Sequence, residues 1–205
     1  MSTGIAALDL VIKSINKQFG KDFSGSSWGD IEPLSTGSIR LDRALGLGGI
    51  PKGAVTEIFG WQSSGKTSLA LQIIALRQAW RKANNVDKRD LIIDLECSLT
   101  ESFIKGFGID MDLVIWVRPD LAEEALQIAI SYVTSGAIDI VLFDSVDAAQ
   151  NNKQVSRSIG ENDVGGVSKD MNNALRQISK LAPKHGTTYI FINQIKQNPG
   201  VFMGN

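Results

Sequence analysis

The octapeptide Gly60-Trp61-Gln62-Ser63-Ser64-Gly65-Lys66-Thr67 follows an apolar, β-rich run at 54–59 and precedes a helical pattern that opens at Ser68. Strand, glycine-bearing loop and helix in that order form the layout of a phosphate-binding loop. No other stretch restricts the fold as much. Backbone amides curl around an anion only when a strand holds one end of the loop and a helix the other, which requires an α/β unit. The expected cradle is Gly60, Trp61, Gln62, Ser63, Ser64, Gly65, Lys66, Thr67 and Ser68. Lys66 reaches the outer phosphates, and the Thr67 hydroxyl suits a magnesium ion.

A chain of 205 residues with 43% hydrophobic content buries a sizeable core. That length predicts one α/β domain with a small appendage. A formal net charge of −1 provides no global basic field, so attraction to a polyanion has to come from local loops. One cysteine, Cys97, excludes an internal disulfide framework. The amino-terminal residues lack the basic-then-apolar layout of a secretory signal, and apolar runs fall short of the roughly 20 residues of a membrane helix. The expectation is a soluble, cytoplasmic protein without a membrane partner.

Ile5, Leu8, Ile12, Ile15 and Phe19 recur at spacings of three and four, which predicts an amphipathic helix that Gly20 ends. The stretch 21–28, rich in glycine and serine, reads as a linker. Strands are expected at 91–95, 113–117, 138–143 and 188–192, with helices over 123–134 and 167–181. Continuous apolar strands alternating with helices predict a mostly parallel central sheet covered by helices on both faces. The polar span 81–90 is expected to be a solvated connection, Cys97 a small buried hydrophobe and His185 a loop residue.

Parallel sheets place chemistry at the carboxyl ends of their strands. Three polar positions follow apolar strands here. Asp144 and Ser145 come after the run at 140–143, and a carboxylate there completes the magnesium site that Thr67 begins. Glu96 follows 91–95 and is the candidate to orient or deprotonate an attacking water, with Asp94 as its competitor. Gln194 follows the last strand, where an amide that both donates and accepts suits sensing a terminal phosphate.

These residues resemble the RecA recombinases, ATP-driven DNA strand-exchange proteins. The similarity runs from about Ile12 to Asn205, carried by Asn16-Lys17-Gln18-Phe19-Gly20-Lys21, Leu34-Ser35-Thr36-Gly37-Ser38, Ser63-Ser64-Gly65-Lys66-Thr67, Ser135-Gly136-Ala137-Ile138-Asp139, Phe143-Asp144-Ser145-Val146 and Phe191-Ile192-Asn193-Gln194-Ile195. The resemblance implies a RecA-type P-loop NTPase core at 31–205, incomplete at its carboxyl end, after an oligomerisation helix and linker at 1–30. It implies ATP and Mg2+ as cofactors, with Lys66 and Thr67 on the nucleotide, Glu96 as the catalytic carboxylate, Asp144 near the metal, Gln194 as the sensor and Phe103 against the adenine.

It further implies that loops at about 156–165 and from Lys196 onward grip single-stranded DNA. Arg157, Val164, Gly165, Gly166, Lys169, Arg176, Lys196 and Gly200 are the residues concerned. A helical homopolymeric filament, and pairing with homologous duplex during recombination and repair, belong to the same expectation. Departures from the pattern are Thr100 where an aspartate is usual, Phe202 one place early, and an end at Asn205 that omits the lysines reaching a neighbour's ATP. Two other readings stay open: a nucleotide-binding module that caps filaments without turnover, and a RecA-fold ATPase outside recombination.

Overall fold

A computed structural model of the chain describes residues 3–20, 31–145 and 166–195. The predicted linker at 21–28 and both predicted DNA loops, at about 156–165 and from Lys196 onward, fall outside the described residues. The chain divides into two units, Met1–Ile31 and Glu32–Asn205. In the first, α1 (Thr3–Phe19) follows the predicted stripe. It ends where Gly20 adopts φ 64 and donates its N–H to Asn16 O at 2.9 Å, a left-handed turn that costs glycine little.

The second unit opens with β1 (Pro33–Leu34), α2 (Ile39–Ala44) and β2 (Ile50–Pro51). The two short strands pair antiparallel, Leu34 opposite Ile50. Gly49 is required at their junction, because a Cβ there would lie 2.1 Å from Leu34 O. Ser38 caps α2 by accepting the Leu41 N–H.

The main sheet comprises β3 (Val55–Gly60), β4 (Arg89–Asp94), β5 (Val114–Val117), β6 (Ile138–Asp144) and β7 (Thr188–Gln194), in spatial order β3-β7-β6-β4-β5. Every adjacent pair is parallel, as the alternation of strands and helices predicts. Between them run α3 (Lys66–Ala83), α4 (Glu101–Lys105), α5 (Ala122–Thr134) and α6 (Gly166–His185). A single 3-10 turn at Met111–Leu113 leads into β5.

Alternation along each strand divides the core in two. Ile92, Ile140, Leu142, Ile190 and Ile192 face α3, where they meet Ala70, Leu71, Ile73 and Ile74. Leu91, Ile93, Val141, Phe143, Tyr189 and Phe191 face α5 and α6, whose Ala125, Leu126, Ala129, Ile178 and Ala182 are buried against them. Phe143 and Phe191 stack with ring centroids 4.5 Å apart. Each fully buried aliphatic side chain contributes about 1.5–3 kcal/mol, so the two layers supply most of the driving force for closing helices onto the sheet. Among the described residues, no helix is long and apolar enough to cross a membrane.

Two local expectations are corrected. The span 81–90 is not simply solvated: α3 runs on to Ala83, and Arg81 and Asp90 at the ends of the span are buried. Asn85, at φ 54, turns the chain back after the Asn84 cap, which accounts for the paired asparagines. His185 is the last residue of α6 rather than a loop residue, and Gly186, at φ 62, follows it.

Burial of Arg81 has an electrostatic cause. Its Nη1 and Nη2 donate to the two Asp90 oxygens at 2.7 and 2.6 Å, and Nη1 also meets Asp139 Oδ2 at 3.0 Å. Arg77, one turn earlier, donates from Nε to the same Asp139 oxygen at 2.6 Å and lies over the Trp80 ring at 4.0 Å. Burial alone would raise the Asp139 pKa, but the two guanidinium groups outweigh it and hold the carboxyl below its ordinary range. The group ties α3 to the amino-terminal ends of β4 and β6.

Removing one member leaves a buried charge unpaired, which costs about 3–5 kcal/mol. Arg81→Met is therefore expected to lower unfolding free energy by about that much in urea titrations, while Arg81→Met with Asp90→Leu recovers most of the loss. A single variant as stable as the parent would show that the cluster contributes nothing.

Candidate functional site

The loop from Trp61 to Gly65 leaves β3 at the carboxyl end of the sheet and enters α3. Gly65 is the N-cap of α3 with φ 86, and no side chain caps the helix. The first amides of α3 are therefore left without an internal acceptor, and the helix dipole adds partial positive charge at the same place. Ser63 also takes a left-handed φ of 59, which bends the loop into a concave turn of the kind that gathers amides round an anion.

Lys66 is buried and bridges the loop. Its ammonium donates to Gly60 O at 3.0 Å and Trp61 O at 2.8 Å, holding a positive charge in the concavity. Thr67 Oγ1 donates to Asp144 Oδ2 at 2.8 Å, so the hydroxyl and carboxylate expected to share a metal are adjacent. Asp144 ends β6 with 3% exposure. Burial pushes its carboxyl up to about 6; nearby Glu96 and Asp94 add to the rise, and the Thr67 hydrogen bond and Lys66 oppose it.

Glu96 lies on the exposed side of the same cleft. Its Oε1 accepts a hydrogen bond from Gln194 Nε2 at 2.7 Å and a short one from the Ser145 hydroxyl. The Asp144–Ser145 peptide is cis. The cleft encloses about 310 Å³ between the loop, Glu96, Asp144, Ile192 and Gln194. A larger groove of about 650 Å³ lies at the far end of α3, lined by Gln78, Arg81 and Lys88 among others. It lacks the converging helix amides, so the smaller cleft is the candidate.

Asp94, the competitor of Glu96, is fully engaged in the fold. It accepts from the Ser98 and Leu99 amides at 3.1 and 3.3 Å and from Arg118 Nε at 3.1 Å. β4 ends at Asp94, so strand alternation does not extend to Glu96. The same turn throws Cys97 outward with φ 52, and it is exposed rather than buried. Arg118 was not anticipated; its signal was an arginine directly after an apolar strand, and it also covers Trp116 at 4.4 Å.

The structure thus brings Lys66, Thr67, Ser68, Glu96, Asp144 and Gln194 to one cleft, with Ser145 joined to it through Glu96. Trp61 is 53% exposed and takes part through its carbonyl. Phe103 stands on α4, half exposed and edge-on to Phe107 at 5.4 Å, and it does not line the cleft. The Thr100 side chain caps α4 by accepting the Phe103 N–H. Of the residues expected to meet DNA, Gly166 opens α6, Lys169 falls within α6, and Arg176 is exposed on it. Arg157, Val164, Gly165, Lys196 and Gly200 lie outside the described residues.

The donor set fits a nucleoside triphosphate with magnesium. Among the described residues no cluster of three or more acidic, histidine or cysteine side chains exists to cage a metal alone. Magnesium usually takes one or two protein oxygens, completing its shell with phosphate and water. The adjacent Thr67 hydroxyl and Asp144 carboxylate meet that need, and a cation would offset the burial that raises the Asp144 pKa.

A carboxyl whose folded-state pKa is raised binds its proton more tightly than in the unfolded chain. Its contribution to stability is then full below about pH 4 and is lost as pH rises through about 6. Without nucleotide, Asp144→Asn is expected to match the parent near pH 4 and to exceed its stability by up to about 3 kcal/mol near pH 8. Denaturant titrations at the two pH values read the difference, and a gap that does not change with pH would contradict the burial of this charge.

The family pattern described as the RecA N-terminal domain matches residues 6–205. The chain is similar to Protein RecA of Aquifex pyrophilus, 41% identical over 209 residues that cover 100% of this chain and 58% of that protein. With Protein RecA of Bifidobacterium breve the identity is 39% over 208 residues, covering 98% and 50%. With that of a Nitratiruptor species it is 41% over 198 residues, covering 95% and 56%. The chain spans about half the length of the curated relatives it matches.

Proposed function

The chain belongs to the RecA family, and from that premise we propose that it binds ATP with magnesium in the loop cleft and couples ATP hydrolysis to holding single-stranded DNA for homologous pairing and strand exchange. The observation that carries this reading is the Gln194–Glu96 hydrogen bond of 2.7 Å at the rim of the cleft. Of the two carboxylates that line the cleft, Asp144 is buried against Thr67 and Glu96 is exposed, so Glu96 is the one placed to orient water toward a terminal phosphate. Gln194 belongs to the strand that leads toward the second DNA loop. An amide that exchanges Glu96 for a γ-phosphate oxygen gives the chain beyond it two states, one for each nucleotide condition.

In this reading, Lys66 and the uncapped α3 amides neutralise the phosphates, and Thr67 with Asp144 holds the magnesium, whose role is to offset charge on the transferring phosphoryl group. Phe103 offers a face to the base. Residues 1–30 serve as the oligomerisation arm of a head-to-tail filament, and residues 31–205 form the ATPase core. Arg157, Val164, Gly165, Gly166, Lys169, Arg176, Lys196 and Gly200 serve the DNA contact.

Anisotropy of a fluorescent single-stranded oligonucleotide, with and without ATP and magnesium, tests the coupling, and phosphate release tests turnover. Lys66→Ala is expected to weaken ATP binding at least about 100-fold, roughly 2.7 kcal/mol. Glu96→Gln should keep affinity near the parent's and lose about 100-fold in phosphate release. Binding of ATP without any release by the parent would leave a nucleotide-binding module and refute the turnover part of the proposal.

A further inference from the structure

The two strands that meet at the cleft are joined by a side-chain link outside it. Asn193 donates from Nδ2 to Glu57 Oε1 at 2.9 Å, across from β7 to β3. Its Oδ1 accepts the backbone N–H of Gln194, also at 2.9 Å. The orientation of the Asn193 amide follows from these partners: an N–H requires the oxygen, and a carboxylate requires the NH2 group.

Strand geometry explains why the link is needed. Successive amides of a strand point to opposite neighbours, and Ile195 N–H bonds to Gly60 O of β3 at 3.2 Å. Gln194 N–H therefore points toward β6, but the pairing of β6 with β7 ends at Phe143 opposite Phe191. Beyond that pair the ladder offers no acceptor, and the Asn193 side chain supplies one. Gly60 O meanwhile accepts from both Ile195 N–H and Lys66 Nζ, so the end of β7 and the phosphate lysine share one carbonyl.

We propose that Glu57 and Asn193 are positioning residues: they clasp the end of β7 to β3 and thereby hold the Gln194 side chain on Glu96. The proposal rests on the role assigned to Gln194 above. Neither residue enters the cleft, and both act through the backbone of residue 194. When a nucleotide draws the Gln194 amide away from Glu96, the clasp keeps the strand in register, so that the change passes into the chain after Ile195 instead of dissipating in a slipped strand.

Three variants of the 205-residue chain test this. Asn193→Asp keeps an oxygen for the Gln194 N–H but sets a carboxylate against Glu57. Glu57→Gln alone preserves an acceptor for Asn193. The double variant restores the link, because the new glutamine amide donates to the new aspartate. In the nucleotide-free chain, Asn193→Asp is expected to speed amide hydrogen exchange at 194–195 at least about 10-fold while 188–192 stays protected; Glu57→Gln should match the parent, and the double variant should return to within about 3-fold of it.

Phosphate release should fall about 10-fold in Asn193→Asp with ATP affinity within about 3-fold of the parent, and recover in the double variant. If Asn193→Asp does not fold, Glu57→Ala, at an exposed position, takes its place with the same expected exchange. Unchanged exchange at 194–195 in the single variant, or a double variant as impaired as the single, overturns the clasp. A parent that binds no ATP sinks the reading of the cleft, while the clasp still stands or falls on the exchange pattern.

Discussion

A parallel sheet buried on both faces has room for polar side chains only at the ends of its strands, and the rest of this structure follows from that constraint. β6 shows it most plainly: all seven residues are buried, and its two carboxylates stand at opposite ends. Asp139, near the amino end, meets two arginines and becomes part of the scaffold. Asp144, at the carboxyl end, meets a threonine hydroxyl and stays short of positive charge. One end of the sheet is electrostatically closed, and the other is left to be completed by a ligand. Burial that costs stability at Asp144 leaves a carboxylate whose charge a cation would stabilise.

The same contrast separates three acidic residues at or just beyond the carboxyl ends of β4 and β6. Asp94 is consumed by two amides and Arg118, Asp144 is buried against Thr67, and Glu96 is exposed and accepts from Gln194 and Ser145. An exposed carboxylate at the rim of the cleft is open to water, whereas the other two are closed off by the fold. Specialisation arises from partners rather than from residue type.

Much of this was legible in the chain because it depends on local order. The strand, loop and helix around Lys66, and the polar residue after each apolar strand, required only the placement of short motifs along the sequence. Asp144 and Gln194 were found because their strands run without interruption into them. What escaped depended on pairing at long range. Arg81 reads as one more charge in a polar span, and only the fold brings Asp90 and Asp139 to it. Glu57 and Asn193 are 136 positions apart and join only through strand register. Cys97 was misjudged because the strand ends three residues before it, and a turn organised by the Asp94 side chain reverses which positions face the interior.

α3 unites the two ends of the sheet. Its 18 residues extend for about 27 Å, from the loop lysine at one end past the arginine pair near the other. Ion pairs anchor its far end, and at its near end Lys66 and Thr67 tie the loop amides to Gly60, Trp61 and Asp144. At that near end the Gly60 carbonyl receives both Lys66 Nζ and the Ile195 N–H, so a single peptide oxygen ties the helix lysine to the end of β7.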